Sequence, residues 1–197
     1  MDGCSPMRAD AVRNRSQIRA SAASLVAAHG VDVSMQAIAV DANVAVGTLY
    51  CHYATKADLI AAVLEDSAEH IASLAEAGQQ AVAAGAEPGL ELASVLHKIA
   101  ALSAESQALR AVAQSLGVVV QTRGQDVPPS PGSPLARTFA AFDSIVDAAC
   151  TAGSLGPDVT RRDLSVLLHG VFELQLDACS RDRYVDLVLA ALAPPKA

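Results

Sequence analysis

Apolar residues recur every three or four positions along most of this 197-residue chain, which is the spacing of a buried helical stripe. The first stripe runs over residues 16–28 and includes Ile18, Ala22 and Val26. Gly30 predicts its end, because glycine is the preferred residue just beyond a helix C-terminus. No segment shows the apolar–polar alternation of a strand, so the pattern predicts an all-α chain of roughly nine or ten helices.

Two short helices follow the first one. Ser34 is a suitable N-cap for a helix that continues through Ala42, and a third helix is predicted over Ala45–Tyr53. Asn43 lies between them and tolerates the left-handed conformation that a tight turn needs. A helix, a short helix, a tight turn and a second short helix within some 40 residues predict a helix-turn-helix unit.

The rest of the chain reads as longer helices separated by breaks. Thr55 and Asp58 have the spacing of a capping box and predict the start of a long fourth helix. Gly85 and Pro88 predict its end, and the proline-rich stretch 123–134 predicts a loop. Further helices are predicted over residues 90–120 (with possible interruptions near Ser103 and Gly117), 135–150, 163–179 and 182–192.

Composition excludes several classes of protein. No apolar run approaches the roughly 18 residues of a membrane span, and the N-terminus lacks the apolar core of a signal peptide, so a cytoplasmic protein is expected. The cysteines show no CxxC spacing and no histidine at ligand distance, so free thiols, no metal and no cofactor are expected. They are Cys4, Cys51, Cys150 and Cys179.

Charge is unevenly distributed. The net charge is −7, yet residues 1–60 carry five basic and five acidic side chains, so the excess acid falls on residues 61–197. Residues 8–19 hold four arginines against one aspartate. This local positive charge fits either a phosphate-contacting arm or a solvated helix start.

The stretch "SMQAIAVDANVAVGTLYCHYATKADLIAAVLE" resembles the DNA-binding region of the TetR family of transcriptional regulators. The family pattern reads I-A-x-x-A-G-V-S-x-G-T-L-Y-x-H-F, followed by a short link and S/T-K-x-x-L. The matching residues are Ile38, Ala39, Ala42, Val44, Gly47, Thr48, Leu49, Tyr50, His52, Tyr53, Thr55, Lys56 and Leu59. The specific match covers about residues 16–65, and "GPDVTRRDLSVLLHG" resembles the start of the family's penultimate helix.

The resemblance implies a DNA-binding domain over residues 8–55 and a helical regulatory domain over residues 56–197. In such a unit the recognition helix lies in the major groove. Gly47 would allow close approach to the DNA, Thr48 a base or phosphate contact, and Tyr50 a phosphate contact. The full set of implied DNA-binding residues is Arg13, Arg15, Ser34, Gln36, Val46, Gly47, Thr48, Tyr50, Cys51, His52 and Lys56.

Three positions depart from the family pattern. Asn43 replaces the usual glycine of the turn, Ala45 replaces the serine that caps the recognition helix, and Val46 stands where a polar contact is common. Loss of the cap costs about 1 kcal/mol. Valine offers a base only an apolar contact, such as to a thymine methyl group.

The resemblance also implies a homodimer on a palindromic operator and a pocket for a small apolar or amphipathic effector. Candidates for the dimer interface are Phe139, Phe142, Val146, Leu164, Leu168 and Val171, with the chain's own core as the alternative. Candidates for the pocket are the polar residues His97, Arg110, Gln114, His169, Glu173 and Gln175, each with a solvated position as the alternative.

Three functions remain open. The first is a ligand-responsive repressor. The second is a DNA-blind helical dimer that binds a small molecule, in which Ala45 and Val46 mark lost base readout. The third is an all-α enzyme using Cys51 and His52, or His169 and Glu173, although no nucleophile-base triad, metal motif or phosphate loop supports catalysis.

Overall fold

The computed structural model describes residues 6–116, 129–164, 166 and 176–194, with side chains except those of residues 6–9, 103–107 and 114. These residues form helices and contain no strand, which confirms the predicted all-α class. The helices are α1 (Pro6–His29), a 3-10 helix (Gly30–Asp32), α2 (Met35–Asp41), α3 (Val46–His52), α4 (Lys56–Ala83), α5 (Pro88–Ser115), α6 (Pro134–Thr151) and α7 (Ala178–Leu192). Residues 161–164 and 166 are also helical.

The predicted helix ends around the helix-turn-helix are present. The Ser34 hydroxyl accepts a hydrogen bond from the Ala37 N–H at 3.1 Å and caps α2. Asn43 has φ 52°, the left-handed conformation that the turn requires. Thr55 and Asp58 form a reciprocal capping box at the start of α4, with the Thr55 N–H donating to Asp58 Oδ2 at 3.0 Å.

Three helices differ from the sequence prediction, and the first of them, α1, starts at Pro6, ten residues before the predicted stripe. Helix α5 runs without a break through residue 103, where the sequence had left an interruption open. The helix expected over 163–179 is wrong at both ends: Thr160 and Asp163 form a capping box that starts a helix at residue 161, and the Asp177 side chain caps α7. Both carboxylates satisfy free N–H groups at a helix start, which apolar periodicity does not reveal.

The chain divides into two compact units. The first unit comprises residues 1–66 and 105–122, and the second comprises residues 67–104 and 123–197. Helices α4 and α5 therefore each supply residues to both units. The domain boundary predicted between residues 55 and 56 stays a prediction.

Each unit has its own apolar core. In the first unit, α1 contributes Ile18 and Val26, and the end of α5 contributes Val112. The core of the second unit is built from α4, α5, α6 and α7, where Gly78 approaches α5 so closely that an added Cβ would lie 2.5 Å from Val95 Cγ2. Within the described part of the chain, no helix has the length and apolar character to cross a membrane.

Candidate nucleic-acid interface

Helices α2 and α3 have one side buried in the core of the first unit. Ile38 and Ala39 of α2 and Leu49 of α3 are fully buried, and Tyr53, just after α3, is 6% exposed. Burial of these side chains fixes how each short helix is rotated about its own axis. Of the apolar motif residues, Ile38 and Leu49 are core residues, and Val44 is half-buried against the same core.

The other side of α3 faces outward. Gly47 and Cys51 are exposed, Tyr50 is 47% exposed, and Thr48 and His52 are half-buried. The space beside Gly47 is open, since a Cβ added there would meet no atom within 4 Å. The structure therefore brings these five predicted DNA-binding residues onto one seven-residue helix, with small or polar groups at its surface.

The N-terminus of α3 lacks a side-chain cap, as Ala45 predicted. The Ala45 carbonyl accepts hydrogen bonds from the N–H groups of Thr48 and Leu49, so the helix starts through backbone contacts alone. Val46 is half-buried and packs against the core of the first unit. Only part of its side chain is available for the apolar base contact that the sequence analysis considered.

Helix α2 contributes two polar residues from its first turn. Ser34 and Gln36 are both exposed. A lone pair of the Ser34 hydroxyl is used by the Ala37 N–H, while its own proton can still be donated to an acceptor such as a phosphate. Gln36 keeps a full amide group at the surface, which is what a bidentate contact to adenine requires.

The predicted basic contacts have different surroundings. Lys56 Nζ donates to the Val31 carbonyl oxygen at 2.6 Å, which ties the start of α4 to the 3-10 helix and leaves two N–H donors. Arg13 pairs with Asp10 at 2.7 Å, and both side chains are exposed. Arg15 is also exposed. An exposed pair such as Arg13–Asp10 contributes about 0–1 kcal/mol and would yield readily to a phosphate.

One arginine of the first unit points inward, and sequence reasoning missed its role. Arg19 Nε donates to the Tyr53 hydroxyl oxygen at 2.7 Å, and its Nη1 pairs with Asp66. Hydrogen bonds to Asp66 and then to Tyr53 raise the pKa of Arg19 further above its ordinary range. The signal was Tyr53 itself, because the tyrosine stands where the family pattern has phenylalanine and a buried hydroxyl needs a partner.

The pocket candidates that the structure describes are divided between the two units. His97 lies in the second unit and contacts two carboxylates of α7, with Nε2 2.9 Å from Asp186 and Nδ1 3.5 Å from Asp182. Arg110 is half-buried, on the part of α5 that belongs to the first unit. Gln114 lies on the same part of α5, and its side chain is not described. His169, Glu173 and Gln175 lie outside the described residues. The ligand-binding set stays a prediction.

Three of the four interface candidates that the structure describes are internal. Phe142, Val146 and Leu164 are buried in the core of the second unit within a single chain, which is the alternative that the sequence left open. Phe139 is half-buried, with the Arg161 guanidinium 4.1 Å from its ring centre. Leu168 and Val171 lie outside the described residues.

The described cysteines, Cys51, Cys150 and Cys179, are free thiols. The Cys150 thiol donates to the Gly156 carbonyl oxygen, and burial raises its pKa, so it is poorly suited to nucleophilic chemistry. Among the residues that the structure describes, no group of three or more His, Cys, Asp or Glu side chains could hold a metal ion.

Comparison with known proteins agrees with this geometry. The family described as bacterial regulatory proteins, tetR family, matches residues 18–63, which run from the middle of α1 to the first part of α4. No curated protein sequence matches the chain.

Three solved structures share the fold. A TetR transcription regulatory protein from Mycobacterium vanbaalenii is 28% identical, with a TM-score of 0.72 over 96% of this chain and 100% of that one. A TetR transcriptional regulator from Streptomyces coelicolor is 21% identical, with a TM-score of 0.70 over 92% and 99%. A gamma-butyrolactone receptor (ArpA-like protein) is 22% identical, with a TM-score of 0.59 over 94% and 90%. Together with the match over residues 18–63, these findings show that the chain shares the fold of TetR transcriptional regulators and that its helix-turn-helix segment is similar to the tetR family of bacterial regulatory proteins.

Proposed function

We propose that the protein is a homodimeric repressor that binds a palindromic operator through α2 and α3 and is released by a small molecule. The observation that carries the DNA-binding part is the outward side of α3. Open space beside Gly47 and the exposed phenol of Tyr50 face away from a core that holds Leu49 and Tyr53 in place. A helix presented in this way fits the major groove.

Two-fold symmetry follows from the size of the contact surface. One copy of α2 and α3 offers few base contacts, whereas two copies bind two half-sites about one helical turn apart. Apolar residues at the surface of the second unit support an interface there. Val166 is 66% exposed and Leu187 is 58% exposed, and an interface between subunits would remove their apolar surface from water.

Release by an effector requires a site whose occupancy changes affinity for DNA. The gamma-butyrolactone receptor shows that a protein of this fold is a receptor for a small organic molecule. The few aromatic residues of this chain, 3% of its composition, favour an aliphatic cavity and hence an apolar or amphipathic effector. A rise in melting temperature with a ligand, together with loss of DNA binding, would identify one.

A DNA-blind dimer is the second candidate, and one observation favours it. Ala45 gives α3 no side-chain cap and Val46 packs partly inward, so two positions that often support base readout contribute little here. The two candidates differ in sequence-specific binding, which only the regulator shows.

The test is selection of DNA from fragments of the source genome by purified protein at near-physiological salt. Recovery of a palindrome supports the regulator. Retention of nothing above random by a well-folded dimer contradicts it and leaves the small-molecule partner as the function to pursue. Enzyme activity would need turnover that is lost in His52→Ala or His169→Ala.

Lys56→Ala tests, within the same experiment, whether Lys56 contacts the DNA backbone. We expect weaker binding to all DNA sequences and a salt slope reduced by about 1, because Lys56 is predicted to contact a phosphate. Lys98→Ala is the matched control, since it removes the same charge from an exposed position in the second unit. A change in sequence preference for Lys56→Ala would show that its role is not a backbone contact.

A further inference from the structure

The hydroxyl of Tyr53 lies at the edge of an apolar core, in a partly buried hydrogen bond. The tyrosine ring belongs to the core of the first unit and is 6% exposed. Arg19 Nε donates to its oxygen at 2.7 Å, from a position 34 residues earlier in the chain. Since a buried hydroxyl without a partner is costly, this contact fixes where the ring and the residue that carries it can lie.

Arg19 also reaches a second partner. Its Nη1 pairs with Asp66 on α4, 47 residues later in the chain. One guanidinium therefore joins α1, the residue after α3, and α4, and we refer to Arg19, Tyr53 and Asp66 as the Arg19 bridge. The planar guanidinium has N–H groups in fixed directions, so it can hold two partners at once where a lysine ammonium holds them less well.

Tyr53 is directly connected to α3. It is the C-cap residue of that helix, and its N–H donates to the Leu49 carbonyl oxygen at 2.9 Å. Helix α3 has only seven residues, starts without a side-chain cap and contains Gly47, so its own sequence stabilises it weakly. The order of α3 depends on contacts at its C-terminal end.

We propose that Arg19 is a positioning residue for DNA readout, which sets the orientation of α3 through the hydroxyl of Tyr53. This inference rests on the proposed DNA-binding function. Arg19 acts inside the first unit: its charge is offset by Asp66, so it adds little to the attraction for phosphates.

This arrangement gives a distinctive expectation. Removing a phosphate contact weakens binding to all DNA and reduces the salt slope, as expected for Lys56. Removing the Tyr53 hydroxyl changes no charge, so the salt slope and the non-specific affinity stay as they are. Only the affinity for the operator falls, because ordering a more mobile α3 on binding costs conformational entropy.

The test compares Tyr53→Phe with wild type on the operator selected above and on unrelated DNA of the same length, well below the unfolding temperature. We expect roughly tenfold weaker specific binding, the size of a coupling between residues in direct contact. Tyr184→Phe is the matched control, because it removes the same hydroxyl from a half-buried residue of the second unit and should leave both affinities unchanged.

A double-mutant cycle with Arg19→Lys identifies the route. If Arg19 acts through Tyr53, the double variant Arg19→Lys with Tyr53→Phe has the same operator affinity as whichever single variant binds the operator more weakly. Losses that multiply would overturn the inference, as would a Tyr53→Phe protein that binds like wild type.

Hydrogen exchange on the free protein provides a readout that needs no DNA. Tyr53→Phe should speed exchange of the α3 amides relative to those of α2; equal protection in both proteins would overturn the ordering role. If wild-type protein selects no DNA, the proposed function fails and the role in readout fails with it. If wild type binds and Tyr53→Phe matches it, only the Arg19 bridge is refuted.

Discussion

Replacing Gly47 by alanine should separate the stability of the protein from its affinity for DNA. Gly47 lies in the first turn of α3, is exposed, and would have no atom within 4 Å of an added Cβ. Its φ is not in the left-handed region, so the backbone does not require glycine there. Neither its backbone conformation nor its neighbours require glycine at this position, whereas close approach of a DNA backbone would.

The two effects have opposite signs. Alanine in place of an exposed helical glycine should stabilise the protein by about 0.5–1 kcal/mol, because the unfolded chain loses less freedom on folding. The new methyl group occupies the surface that is predicted to meet DNA, where it pushes the phosphate backbone away from α3. Loss of one such contact corresponds to roughly tenfold weaker binding, or about 1.4 kcal/mol.

The assay pairs urea unfolding of the free protein with titration of the operator by fluorescence anisotropy. Ser24→Ala on α1 is the control for stabilisation alone, since an exposed helical serine replaced by alanine gains about 0.5 kcal/mol. Ser24→Ala should leave affinity unchanged. A Gly47→Ala protein that is more stable and binds the operator as wild type does would refute the placement of Gly47 against DNA. A destabilised variant would show that the fold needs this glycine.

Three further outcomes concern the second unit and the thiols. Gly78→Ala should destabilise the protein by about 1–3 kcal/mol, measured by urea unfolding, because its Cβ would lie 2.5 Å from Val95 Cγ2; no loss of stability would mean that Val95 moves freely. Brief alkylation followed by peptide mass spectrometry should modify exposed Cys51 well before Cys150, whose thiol pKa is raised by burial, and equal rates would contradict that burial. Hydrogen bonds from the Ser154 hydroxyl and two backbone N–H groups lower the pKa of Glu87, so the stability it provides is present above pH of about 4.3 and is lost as the pH falls through its lowered folded value. The melting-temperature difference between wild type and Glu87→Gln should therefore shrink in acid, and a constant difference would contradict this.

Local sequence signals predicted the helix-turn-helix closely. Ser34, Asn43 and the pair Thr55–Asp58 each specify a backbone conformation through their own side chains, and all three do so in the structure. The helix before α7 was wrong at both ends for the same physical reason. Its apolar pattern passes over Thr160 and Asp177, whose capping oxygens decide where the helices start.

Contacts between distant residues were the part that sequence did not predict. The Arg19 bridge joins positions 34 and 47 residues apart, and no local pattern records such a pairing. Periodicity likewise places Phe142 and Val146 on an apolar helix face, but it does not indicate whether the chain's own core or a second subunit packs against that face. The structure covers both with the chain's own second unit, so their expected place near a dimer interface has no support from burial.

The helix predicted to read DNA receives little stabilisation from its own sequence. Helix α3 lacks a cap worth about 1 kcal/mol and carries a glycine that costs about 0.5–1 kcal/mol. Both losses fall in its first turn, which is also the end proposed to enter the groove. Compensation comes from the opposite end, where Leu49 is fully buried and Tyr53 is held by Arg19. Small residues at the proposed reading end would let DNA approach closely, while anchored residues at the far end keep the helix ordered. Substitutions at Tyr53 should therefore alter readout although this residue is buried in the core.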